Sequence, residues 1–183
     1  MNKPHPTSRA FTLIEILVAV ALIVLLLGLG VAAISAMYGE ADKSRTQVML
    51  RQLQGVITEY GAHTKGSLPE PDNNIADVVD DIKSNGGDAA EMMLRSIDKR
   101  FWDGGSYSGP TGAQAILDAW DNEIEYVEAD GSNGDTGNNM PARPRPYFAS
   151  AGADGEWGSY TDNNIDEPNP AAKDNLFSFE VGQ

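Results

Sequence analysis

The chain has 183 residues, enough for one modest globular domain and one further element. Its 27 acidic side chains outnumber 13 basic ones, and the formal net charge of −14 excludes a nucleic-acid binder that works by phosphate neutralisation. With no cysteine and only two histidines, disulfides, thiol catalysis and zinc–thiolate sites are excluded, and histidine triads or metal sites lack members.

The charge is unevenly placed. Lys3 and Arg9 precede an apolar segment, and losing the first ten residues would take the chain to −16. Between Phe11 and Tyr38 the only ionisable carboxylate or base is Glu15, and the nineteen residues from Ile16 to Ile34 are uncharged. As a helix, that run rises ~28 Å, close to the thickness of a bilayer core. Leading positive charges fit a start held inside and a remainder placed outside the cytoplasm. A secretory signal cut near Ala33-Ile34-Ser35 is a competing reading, but the apolar run exceeds the ~7–15 residues of such signals.

An acidic residue inside an apolar run needs a partner. Cleavage between Ala10 and Phe11 would create an α-amine with a pKa of ~7.7–8.0, largely protonated at neutral pH. In a bundle of such helices, Glu15 of one subunit could neutralise the Phe11 amine of its neighbour. Removing one partner of a buried pair of this kind costs ~3–5 kcal/mol, so the pair would set axial register.

Arg9-Ala10-Phe11-Thr12-Leu13-Ile14-Glu15 resembles the prepilin peptidase site of type IV pilins and type II secretion pseudopilins. The resemblance implies a leader of residues 1–10, cleavage between Ala10 and Phe11, N-methylation of Phe11, and assembly through Glu15. It further implies a hydrophobic transmembrane and assembly helix over 11–38, and a periplasmic domain over 39–183 that includes the helix's C-terminal half. Ala10 departs from the usual Gly. Ala32 stands near where many relatives carry a kinking Pro, which leaves Gly28 and Gly30 to soften the helix by ~1 kcal/mol each relative to Ala.

Beyond Tyr38 the helical pattern continues. Met49, Leu53, Val56 or Ile57, and Tyr60 recur every three or four residues as one apolar stripe, and Gly61 and Lys65-Gly66 are stop signals. The helix is expected from Phe11 to about Ala62. Leu68-Pro-Glu-Pro71 then opens a loop. Two short helices are expected next, burying Ile75, Val78, Val79 and Ile82 in one case, and Met92, Met93, Leu94 and Ile97 in the other. Phe101-Trp102 reads as a hydrophobic plug before a turn.

Strand patterns follow at Glu123–Glu128, Tyr147–Ser150 and Leu176–Val181. Ile124 and Tyr126 share one face of the first, and Phe177, Phe179 and Val181 one face of the third. The expected class is therefore α+β, a long N-terminal helix packed against a small antiparallel sheet. Residues 129–139, rich in Gly, Asn and Asp, read as a surface loop, and their spacing fails the EF-hand template.

Leu117-Asp-Ala-Trp-Asp-Asn122, followed by Ile124 and Tyr126, is similar to the Asp-Pro-Trp-Gly-Asn-x-Tyr segment of the major pseudopilin of type II secretion. Ala119 replaces its Pro and Asp121 its Gly. Tyr147-Phe-Ala-Ser-Ala-Gly-Ala-Asp-Gly155 resembles that family's Ser-x-Gly-x-Asp-Gly loop. The loop between the second and third strands is rich in Asp, Glu and Asn, donors that suit a hard cation. The resemblance implies Ca²⁺ held by Asp154, Asp162 and Asp174 with a backbone carbonyl of Ser150. A solvated acidic turn is the other reading of the same residues.

The function expected is structural, without catalysis: a homopolymer in a short periplasmic pseudopilus that supports protein export. Its implied partners are a prepilin peptidase/methyltransferase, an inner-membrane secretion assembly platform, minor pseudopilins and the membrane. The alternatives are a pilin of a surface filament, a single-pass membrane-anchored binding module, and an anchored hydrolase using paired carboxylates.

Overall fold

The computed structural model describes residues 12–69, 74–129, 140–141, 143–157 and 174–179, with side chains 30–36 excepted. Two units divide after Glu40, Met1–Glu40 and Ala41–Gln183. The elements run α1 (Leu13–His63), α2 (Ile75–Asn85), α3 (Gly87–Arg95), a 3-10 turn (Lys99–Phe101), β1 (Glu125–Val127), β2 (Tyr147–Ser150) and β3 (Leu176–Phe177).

In the first unit, α1 begins at Leu13, behind the polar cap residue Thr12. Its large apolar side chains are exposed, from Leu13 at 83% to Leu29 at 64%. Among the described residues, no helix is long and apolar enough to cross a membrane.

The second unit is organised by the later part of α1. Met49, Leu50, Leu53, Val56, Ile57 and Tyr60 are buried, so the expected stripe is present and Leu50 widens it. Burying each large aliphatic side chain contributes ~1.5–3 kcal/mol. The helix stops where Lys65 (φ 58) and Gly66 (φ 99) turn left-handed and the Gly66 amide reaches back to the Gly61 carbonyl at 2.7 Å.

Ile75, Val78, Val79 and Ile82 of α2 join this core as expected. In α3 the expectation needs correction. Leu94 is fully buried and Ile97, just beyond, nearly so, but Met92 is 69% exposed and Ala90 takes the inward position. Consecutive helical residues point ~100° apart, so Met92, Met93 and Leu94 cannot share one face.

The loop after α3 is tied down by a buried cation. Lys83 of α2 donates to the Gly112 carbonyl at 3.0 Å, and its ammonium lies 4.8 Å from the Tyr107 ring centroid. The Gly112 amide in turn donates to Asp80 at 2.9 Å. Burial pushes the Lys83 ammonium below its usual pKa range. Phe101 and Trp102 are buried in the core beside it, as a plug should be.

The sheet is antiparallel in the order β1-β2-β3, pairing Tyr126 with Phe148 and Ser150 with Leu176. Its helix-facing side carries Tyr126, Phe148 and Leu176. Gln54 of α1 fastens it, donating to the Pro146 carbonyl at 3.2 Å and accepting from the Ser178 hydroxyl at 2.7 Å.

Phe177 and Phe179 do not face α1, which corrects the expectation of a single apolar face. They pack on Tyr147, with Val127, Met140, Ala149 and Trp157 nearby, as a second cluster. Alternation in β3 sends Leu176 inward, so Phe177 must point outward. Residues 130–139 of the expected loop and 180–181 of the expected third strand lie outside the described residues.

Candidate functional site

At the start of α1, Thr12 and Glu15 bond reciprocally. The Thr12 amide and hydroxyl donate to Glu15 Oε2 at 2.8 and 2.9 Å, and the Glu15 amide donates to Thr12 Oγ1 at 3.3 Å. This is a capping box, which satisfies donors that a helix start leaves free. The Thr-x-x-Glu spacing that makes it is legible in the sequence. Glu15 thus has a role within its own chain besides the expected one between subunits. Ala10 and Phe11 lie outside the described residues.

The acidic loop is anchored by a residue that composition did not single out. Asp118 is buried, with 1% exposure. Its Oδ1 accepts from the amides of Trp120 at 2.8 Å and Asn122 at 2.9 Å. Its Oδ2 accepts from Asn122 Nδ2 at 3.2 Å and from the Ser150 hydroxyl at 2.7 Å. Asn122 also donates to the Gly152 carbonyl at 2.8 Å, and the Gly152 amide donates to Ser150 Oγ at 3.0 Å. Four donors on one carboxylate compensate for removing it from water.

Asp121, in the same turn, adopts φ 67. That is the left-handed region where Gly is least strained, so the Gly of the similar pseudopilin segment has a physical reason at this position. The Ala119 amide donates to Thr46 Oγ1 on α1 at 3.1 Å, a bond that Pro would lack.

Of the expected cation ligands, Asp154 and Asp174 are neighbours through the Asp154 backbone amide. The Asp154 amide donates to Asp174 Oδ2 at 3.1 Å, and Asp154 Oδ1 accepts from the Glu156 amide at 2.8 Å. Between them Gly152 has φ 77, and a Cβ there would strike the Asp174 carbonyl and lie 2.8 Å from its carboxylate. Asp174 therefore packs closely against the Gly152 backbone, where only a glycine fits.

Ser150 is buried in β2 with its hydroxyl committed to Asp118, and Asp162 lies outside the described residues. Among the described residues, no group of three or more His, Cys, Asp or Glu is placed to hold a metal.

A separate cleft between α1 and the Asp118 turn is lined by Asp42, Arg45, Arg100, Phe101 and Asp121. Its arginines are paired, Arg45 with Asp42 and Arg100 with Asp98, each at 3.0 Å.

Residues 6–31 match the prokaryotic N-terminal methylation motif. That match supports a type IV pilin-like prepilin, processed by prepilin peptidase and polymerising as pili do, and the N-terminal helix packed on a small three-stranded antiparallel sheet is consistent with a pilin-like fold. No curated protein and no solved structure matches the chain.

Proposed function

We propose that the chain is the structural subunit of a type II secretion pseudopilus. Its leader is clipped before Phe11, the new N-terminus is methylated, and subunits polymerise through α1 to support protein export. The observation that carries this reading is the methylation motif over 6–31, running into a helix whose apolar side chains are exposed from Leu13 to Leu29. Exposed apolar surface of that extent must be covered by lipid or by other copies.

The pseudopilus is favoured over a surface pilus by one relationship. The two segments that resemble the major pseudopilin, 117–126 and 147–155, meet through Asp118, Asn122, Ser150 and Gly152. In this reading residues 11–38 span the inner membrane once, the remainder is periplasmic, and minor pseudopilins and an inner-membrane assembly platform are the partners. Intact mass and N-terminal sequence of the protein from its native membranes test the processing. A chain starting at N-methylated Phe11 is expected, and one starting at Met1 or near Ser35 overturns the reading. Short periplasmic fibres whose loss blocks export are expected, whereas long extruded fibres assign a surface pilus instead.

We also propose that Asp154, Asp162 and Asp174, with a carbonyl of Ser150, hold a calcium ion that orders the acidic loop. The support is the Asp154–Asp174 approach and the tight turn at Gly152. Bound only by the folded chain, calcium at a hundred times its Kd stabilises by ~2.7 kcal/mol. Thermal unfolding with calcium and with chelator checks it, and equal midpoints sink the site.

A further inference from the structure

Positive charge is concentrated in one place on this acidic chain. The segments 43–51 and 95–100 carry Lys43, Arg45, Arg51, Arg95, Lys99 and Arg100 against a single carboxylate, Asp98. All six basic residues are exposed. Residues 103–183, in contrast, carry fifteen carboxylates and three basic side chains.

The fold lays the two basic segments side by side. Arg45, Val48 and Met49 of α1 line one open groove with Ser96, Arg100 and Phe101 from beyond α3. Val48 is 52% exposed there, so the groove has apolar surface between its arginines. Arg45, Arg95 and Arg100 pair with Asp42, Glu91 and Asp98, each at 3.0 Å. Among the described residues, Lys43 and Lys99 make no ion pair. Arg45 spends one donor on Asp42 and Arg100 two on Asp98, while a guanidinium has five. Exposed pairs of this kind hold their partners weakly, so both arginines can take a further carboxylate.

A surface of opposite sign is built on the Asp118 turn. Asp121 and Glu123 are exposed on the turn itself, and Asp154 and Glu156 on the limb that leaves Gly152. Asn122 joins the two, donating to the Gly152 carbonyl at 2.8 Å. A Cβ on Gly155 would lie 3.0 Å from Asn122 Oδ1, so the limb abuts the turn along its length.

We propose that the basic groove of one copy docks the acidic surface of a second copy, formed by Asp121, Glu123, Asp154 and Glu156. Copies then join through their folded domains as well as along α1. The inference rests on the polymer reading given above. A contact between two different surfaces leaves each copy with one of each still open, so it propagates as a filament requires. Charge complementarity fixes which surfaces meet and in what register. With a screening length of ~10 Å at 0.1 M salt, these charges act at contact range and weaken as salt is added.

The test uses the full processed chain, assembled from equal parts of unlabelled and isotope-labelled copies. A carbodiimide joins a lysine amine to a carboxylate in contact with it. Peptides linking Lys43 or Lys99 to Asp121, Glu123, Asp154 or Glu156 are expected. Mixed isotopes should mark the links as lying between copies, and the linked ladder should run past dimers. Arg45→Glu with Arg100→Glu should cut polymer yield about tenfold or more, because like charges then face each other. Lys43→Gln with Lys99→Gln removes two exposed charges and no ion pair, and keeps the test decisive should the arginine variant fail to fold. It should lower the yield in the same direction and blunt the loss of polymer on adding sodium chloride.

A wild type that forms no polymer overturns the polymer reading and the docking with it. Three results leave the polymer standing and overturn the docking. They are polymers that give none of these links between copies, a ladder that stops at dimers, and folded charge variants that polymerise at wild-type yield.

Discussion

The amide of Ala119 donates to the hydroxyl of Thr46 across 73 residues of sequence, at 3.1 Å, and Thr46 is fully buried on α1. One side-chain oxygen thereby seats the Asp118 turn on the helix that organises the unit. Replacing Thr46 by Val keeps the shape and removes the acceptor, leaving the Ala119 amide without this partner. The expected loss is about 1–2 kcal/mol of unfolding free energy. Urea denaturation reads it as a lower midpoint at unchanged slope, and an unchanged midpoint refutes it.

Asp121 sits at φ 67, where a side chain beyond Cβ is tolerated but not favoured. Asp121→Gly should raise stability by roughly 0.5 kcal/mol, the relief of strain being partly offset by the entropy of a freer unfolded chain. Asp121→Val should lower it by about 1–2 kcal/mol, because a β-branched residue is an outlier there. The same unfolding measurement on the two variants must give opposite signs.

Glu15 caps its own helix, and the proposed polymer would add a second, separable role as a charge between chains. Glu15→Gln retains the capping-box geometry, since Gln serves at that position, but cannot neutralise a neighbour's amine. Leader cleavage and helix content should be preserved while filament yield collapses. Thr12→Ala should instead cost about 1 kcal/mol of helix-start stability. Filaments of ordinary yield from Glu15→Gln would show that the charge is dispensable.

The buried Lys83 and the exposed Asp98 predict stability that rises with pH in two separate windows, because both folded pKa values are lowered. Burial lowers the Lys83 pKa below 10.5 in the folded chain, so between the folded value and 10.5 the unfolded chain binds more protons. Stability should rise with pH across that window, and Lys83→Met should abolish the rise. At Asp98, side-chain and backbone hydrogen bonds from Arg100 hold the carboxyl below 3.8. Its contribution is present above 3.8 and lost as pH falls through the folded value. Exposure and salt screening keep that acid step small, and Asp98→Asn should remove it.

The long helix was legible because its pattern is local and repetitive. Met49, Leu53, Val56, Ile57 and Tyr60 recur at helical spacing, and all are buried. The stop at Lys65-Gly66 was legible for the same reason, since left-handed backbone is a property of a few adjacent residues. The inward face of α3 was misread because three adjacent apolar residues were placed together, and helix geometry separates them. The third strand was read for its aromatic face without knowing that the sheet has two buried sides. Nothing in Phe177 itself says which side α1 occupies.

The acidic loop shows the limit most plainly. Its Asp and Asn residues were conspicuous, yet Asp118, which holds the loop's near limb, is one acidic residue among 27. Its role depends on four donors, including groups of Asn122 and Ser150, and one of them arrives from 32 residues away.

What the sequence determined by itself is therefore the class of the N-terminus, the course of α1 and the α+β character. These follow from cleavage-site residues, hydrophobic period and charge distribution, all of which act between near neighbours in the chain. What only the tertiary structure decided is which polar groups are buried together. Thr46 and Ala119, and Asp118 and Ser150, each belong to distant segments, and burial makes each partnership obligatory because a polar group removed from water must be matched.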